Sequence, residues 1–186
     1  MIFYRFKLIN SSHNRLNSEK QVKYISGIYL TMNIVLQLND FYIGNVNLLK
    51  KKKNVVVDGI FTKFTYSNEY FIMNGIYLKF PVINPNIKVD NKMTIMTYSP
   101  YEKENIEYLQ YISNMELQLL EYYNYTNNIR KTPITILSKK LFSGNIKSNI
   151  YSLSKTINNI ITIKISGIWE TDNEIGLAIK LIFNQI

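Results

Sequence analysis

The chain has 186 residues, 22 Lys and Arg against 13 Asp and Glu, a formal net charge of +9, one His and no Cys. That length suits one domain, or at most two very small ones, and is enough to bury a sizeable core. Without cysteine there is no disulfide framework, no thiolate nucleophile and no Cys-ligated metal site, and the solitary His13 excludes a His-rich one.

At the N-terminus, the stretch Met1–Arg15 alternates and carries Arg5 and Lys7 within its apolar part, unlike the unbroken apolar region of a signal peptide. No apolar run approaches the ~18 residues of a membrane span. The expectation is a soluble cytoplasmic protein without a membrane partner. Through residue 100, short apolar or alternating runs recur at Ile2–Ile9, Val22–Leu38, Phe41–Leu49, Val55–Tyr66, Tyr70–Val82 and Met93–Tyr98, punctuated by Asn, Gly, Ser and Pro. They predict antiparallel hairpins.

Ser99-Pro100-Tyr101-Glu102 has the pattern of a capping box and predicts a central helix over about 100–125. Its apolar face is Ile106, Leu109, Ile112, Met115, Leu119 and Tyr122, with Glu102, Glu104 and Glu107 at the positive end of the dipole. Thr132-Pro133 predicts the start of a short second helix through Leu141, stopped by Ser143-Gly144. Ile160–Trp169 and Ile175–Phe183 alternate as strands joined by a four-residue loop, Glu170–Asn173, and predict a C-terminal β-hairpin. A Gly-Ile-Tyr-Leu echo at Gly27 and Gly75 is too short to indicate duplication. The predicted fold class is β-rich α+β: a curled antiparallel sheet or small OB-like barrel, residues 1–186 forming one nucleic-acid-binding domain.

Composition qualifies the charge. With 29 Ile, 24 Asn, 19 Lys and 15 Tyr but 3 Arg and one Ala, the chain follows A/T-rich codon usage, so excess Lys and Tyr is partly mutational drift. Codon bias does not place charge, however. Residues 1–100 hold 13 basic and 5 acidic side chains, against 9 and 8 in the remainder, so the positive field belongs to the first half.

Groups able to move protons or hold charge at a reacting atom are few. His13 lies in a polar loop-like stretch, and no phosphate-binding glycine loop, dinucleotide fingerprint or zinc-protease motif is present. Glu170, Asp172 and Glu174 alternate along a turn and could hold a divalent ion, although turns collect such residues anyway. No catalytic constellation emerges, so the expectation is a non-enzymatic protein with no cofactor and no metal.

Binding has more to support it. A three-residue turn Ser67-Asn68-Glu69 would pair Tyr66 with Tyr70 and put Ile60, Phe64, Ile72, Ile76 and Leu78 on one face. Phe61, Lys63, Phe71, Tyr77 and Lys79 would then share the other, and a different turn would change that set. Aromatic rings interleaved with Lys suit single-stranded nucleic acid, because rings stack on any base while ammonium groups neutralise phosphates. Packing inside a closed barrel would explain the same rings. Lys50, Lys51, Lys52 and Lys53 form a run at an expected hairpin tip, either a solvated loop or a phosphate-contacting finger. Lys164 and Lys180 could extend the basic track, while Trp169, in phase with Ile161, Ile163 and Ile165, is expected under the sheet end, with base stacking as the alternative.

The stretch Ile163-Lys164-Ile165-Ser166-Gly167-Ile168-Trp169-Glu170-Thr171, with Glu174-Ile175-Gly176-Leu177 and Lys180, resembles the closing hairpin of small replication proteins of large cytoplasmic DNA viruses or linear cytoplasmic plasmids. Lys140–Lys147 and the preceding helix are similar too, so the resemblance covers about the last third of the chain. It implies a single-stranded DNA-binding protein with an OB-like core, and no contact residues are carried over from it.

The leading expectation is therefore a protein that coats single-stranded DNA, with RNA a further candidate, through Lys50–Lys53, Phe61, Lys63, Phe71, Tyr77, Lys79 and Lys164. A homo-oligomer or replication proteins would be its partners. One rival is a viral structural or assembly protein using the aromatic face for protein contact. Another is a metal-dependent nuclease, which would need at least two of Asp40, Asp58 and Asp90 to converge.

Overall fold

The computed structural model describes residues 34–56, 58–90, 93–148 and 157–185. The expected strand at Ile2–Ile9, the His13 loop and the Gly27 echo lie outside them. Two 3-10 turns, Leu38–Asp40 and Ile43–Asn45, lead into β1 (Val46–Leu48), β2 (Lys52–Lys53), β3 (Ile60–Ser67), β4 (Ile72–Met73), β5 (Ile76–Pro81), β6 (Asn86–Asp90) and β7 (Met93–Thr97). Helix α1 (Lys103–Thr126) follows, then β8 (Thr132–Ile134), α2 (Ile136–Phe142), β9 (Asn145–Ser148), β10 (Ile157–Glu170) and β11 (Glu174–Gln185). The architecture is β-rich α+β. In the larger sheet the order is β1-β3-β10-β11-β8, with β2 and β4 also on β3 and β5 also on β10; β6-β7-β9 form a second sheet. Among the described residues this path runs openly from β1 to β8, and no closed barrel is formed. Buried side chains of both sheets and both helices make one hydrophobic cluster.

The β10–β11 hairpin organises the larger sheet because both strands alternate. Ile161 opposes Phe183, Ile163 opposes Leu181 and Ile165 opposes Ile179, which places this row against the core. The register then slips: Ile165 pairs with Ile179 but Gly167 with Ala178, leaving Ser166 as an extra residue. A bulge of one residue reverses the alternation. Beyond it Ile168 and Glu170 are the buried positions, and Trp169 is carried to the opposite face. That corrects the expected placement of Trp169 under the sheet end.

β10 is also too long for one partner on its other edge. β5 pairs with residues Ile160–Ile165 and β3 with Gly167–Glu170. Glycine makes the handover possible: a Cβ on Gly75, whose φ is +93°, would lie 2.8 Å from the Ile165 carbonyl oxygen, and one on Gly167 would lie 2.1 Å from that of Thr62.

Local rules failed where tertiary contacts outbid them. Tyr66 pairs with Met73 and Ser67 with Ile72, so the expected three-residue turn is replaced by a longer loop. The Asn68 side chain accepts the N–H groups of Tyr70 (2.9 Å) and Phe71 (3.1 Å), and Ile72 points to solvent instead of the core. The strand expected from Val55 begins at Ile60, and Val55 and Val56 are exposed loop residues. No capping box forms at Ser99: the Glu102 carboxylate accepts from Asn84 (2.6 Å), while buried Asn105 donates to the carbonyls of Ser99 (2.9 Å) and Ile83 (3.2 Å). Thr132-Pro133 joins β8, parallel to β11, rather than opening a helix; an edge strand tolerates the missing proline donor. Among the described residues no helix is long and apolar enough to cross a membrane.

Candidate nucleic-acid interface

The two faces of the larger sheet differ in chemistry. On one, even positions of β3 and β5 (Thr62, Phe64, Tyr66, Ile76, Leu78, Phe80) are buried, and the end of α1 is fastened there: the Tyr123 hydroxyl meets Thr62 Oγ1 at 2.9 Å and Glu170 Oε2 at 2.6 Å. On the other, cross-strand registers align polar and aromatic side chains in rows. Lys79 pairs with Thr162, and Tyr77 with Lys164, which in turn opposes Lys180. Lys63 is opposite Gly167, Phe61 is opposite Trp169, and Lys52 is opposite Phe61. Five lysines and three aromatic rings therefore occupy one sheet face. The Lys164 ammonium lies 5.3 Å from the Tyr77 ring centre, a cation–π distance.

Glycines shape the aromatic end of this face. A Cβ on Gly176 would lie 2.3 Å from Trp169 Cζ2, and one on Gly167 would lie 3.0 Å from Phe61 Cζ. Both rings thus rest on backbone where any larger residue would lift them. Beside them the loop after β2 completes a groove of about 420 Å³, lined by Lys52, Lys53, Val55, Val56, Phe61 and Trp169 among others. The Asn54 side chain accepts the Val56 N–H (3.0 Å) and the Asn54 N–H reaches the Gly59 carbonyl (2.9 Å), an Asx turn that fixes the rim.

Two of the expected contact residues are elsewhere. Phe71 is half-buried, with its ring stacked near buried Tyr66 (centroids 6.3 Å apart, 20° between planes), because the longer loop reverses its direction. Lys51 points to the helix side: its Nζ is 3.2 Å from Glu170 Oε2 and 5.3 Å from the Tyr123 ring centre. Period-two alternation explains it, since the next residue, Lys52, faces the open side opposite Phe61. Lys50 is exposed in the loop before β2, and Lys53 pairs with Ile60 yet still lines the groove.

Behind Trp169, buried Glu170 is held by Lys131 at 2.7 Å as well as by Lys51 and Tyr123. Burial opposes its ionisation, but the hydrogen bonds from Lys131, Tyr123 and Lys51 outweigh that and hold the carboxyl down at about 2. Burial, reinforced by the Glu170 carboxylate, pushes the Tyr123 hydroxyl up. Glu170 is thus an ion-pair anchor, which removes it from the expected acidic turn of Glu170, Asp172 and Glu174. Among the described residues no group of three or more acidic or His side chains could hold a metal ion. Asp40, Asp58 and Asp90 belong to a 3-10 turn, the β2–β3 loop and the end of β6.

Sequence reasoning favoured burial of Trp169 over base stacking, and missed Val55 and Val56 as the rim of the open face. Gly167 inside a strand was the available signal, since such glycines mark bulges. Compared with protein families, curated proteins and solved structures, the chain matches none, so the face is interpreted from its own chemistry.

Proposed function

We propose that this protein is a non-enzymatic single-stranded DNA-binding protein that coats exposed strands during DNA replication of a viral or plasmid genome in the cytoplasm. The observation that carries this is the segregation of Phe61, Tyr77 and Trp169 with Lys52, Lys63, Lys79, Lys164 and Lys180 on the sheet face turned away from α1. The sheet would serve as an OB-type strand face does, with bases stacking on rings at about 1–3 kcal/mol each and lysines tracking the phosphates. Little sequence preference follows, because every base offers a π-face. Single-stranded RNA presents the same groups, and replication proteins or a second copy of the chain are the expected protein partners.

The test uses Trp169, the single tryptophan. Titration with oligothymidine at low salt should quench its emission and saturate, whereas duplex of equal length should bind less tightly with little quenching. Absence of oligothymidine binding at low salt would dispose of the proposal.

Exposed Tyr70 and Ile72 beside the β3–β4 turn favour a second reading, a viral assembly protein using an apolar patch. It predicts a salt-insensitive oligomer by sedimentation that Y70S/I72S dissolves.

A further inference from the structure

Resting on the single-strand reading, we propose that the groove between Trp169 and the Val55–Val56 rim is a capture site for one unstacked nucleobase, with Lys52 and Lys53 on the phosphates that flank it. Val55 and Val56 are 97% and 86% exposed, unusual for adjacent valines held in a defined turn. Their side chains, the Phe61 and Trp169 rings and Ala178 make walls that are largely apolar, and no carboxylate is among the lining residues. A volume of about 420 Å³ falls within the range of small-ligand sites, about 300–1,000 Å³, and admits a planar base with part of its sugar.

Charge identifies the occupant. A purely apolar ligand would gain nothing from the two lysines, Lys52 and Lys53, that line the groove, and a carboxylate ligand would gain nothing from the flat apolar walls; a nucleotide uses both. The indole is seated on Gly176, so its position is fixed before the base arrives and little ordering is required on binding. Tyr77 and Lys164, farther along β5 and β10, would meet the neighbouring nucleotides by open-face stacking without enclosure.

The experiment compares oligothymidine with an abasic deoxyribose-phosphate oligomer of equal length, on the full chain and on its V55S/V56S variant. Both valines are exposed, so the variant should keep its thermal midpoint. For the unmodified chain, oligothymidine should quench Trp169 and bind about tenfold or more tighter than the abasic strand, which should leave the emission unchanged. V55S/V56S should lose about fivefold or more for oligothymidine and nothing for the abasic strand. Oligothymidine binding without quenching, or with affinity unaltered in V55S/V56S, would overturn the capture site while leaving strand binding by the open face intact. No binding of either strand at low salt would overturn both.

Discussion

Glu170 concentrates more electrostatic consequence than any other described residue, because its carboxylate is 5% exposed and lies within reach of Lys51, Lys131 and Tyr123. Its folded pKa of about 2 is below the ordinary 4.5, so the unfolded chain binds the proton more tightly in that interval. Stability from this group is complete above about pH 4.5 and disappears as pH falls through about 2; the shift is worth about 3 kcal/mol. Glu170→Gln should therefore cost about 3 kcal/mol in urea unfolding at neutral pH and lose that part of the acid dependence between pH 4.5 and 2. Lys51, more exposed, should cost about 1 kcal/mol or less as Lys51→Ala. Gly176 poses a separate test at this scale. Gly176→Ala would push a methyl into the Trp169 indole, which must lift, so its emission should shift and the unfolding free energy should fall by about 1–2 kcal/mol.

Elements obeyed the sequence where periodicity was long and failed where a single residue changed phase. The α1 face was legible in Leu109, Ile112, Met115 and Leu119, all buried, although Tyr123 rather than Tyr122 completes it. The hairpin of β10 and β11 was legible for the same reason. Alternation, however, carries no memory across a bulge: the phase that buries Ile161, Ile163 and Ile165 cannot reveal that Ser166 is skipped, and so Trp169 and Glu170 exchange the roles their spacing suggests. Phe71 and Lys51 were misplaced by comparable single-residue effects, a longer turn and a short edge strand. The second helix depended on something invisible locally, a cap supplied from another helix. Buried Glu116 on α1 accepts the Leu137 and Ser138 N–H groups at 2.9 and 2.8 Å, and the Ser138 hydroxyl too. Glu116→Ala would leave these buried donors unpaired. A loss of about 2–4 kcal/mol should accompany faster amide exchange at Leu137 and Ser138, with exchange in the β10–β11 ladder rising only as far as global stability falls.

For the molecule as a whole, the net charge of +9 would attract any polyanion, so affinity by itself cannot distinguish a built interface from a diffuse field. Salt dependence distinguishes them residue by residue. Each phosphate neutralised on a single strand contributes about −0.7 to the slope of log K against log salt. The five face lysines, Lys52, Lys63, Lys79, Lys164 and Lys180, would together give about −3.5 if all engage. Lys79→Ala or Lys164→Ala should make the slope shallower by about 0.7 each, and the pair should add. Lys51→Ala is the internal control: it removes the same formal charge, but its ammonium is bound to Glu170 on the helix side, so stability should fall while the slope stays near its original value. Diffuse attraction predicts the opposite, equal and small changes for Lys51, Lys79 and Lys164 alike. Equal changes would mean that the rows of the sheet face do not organise the bound strand.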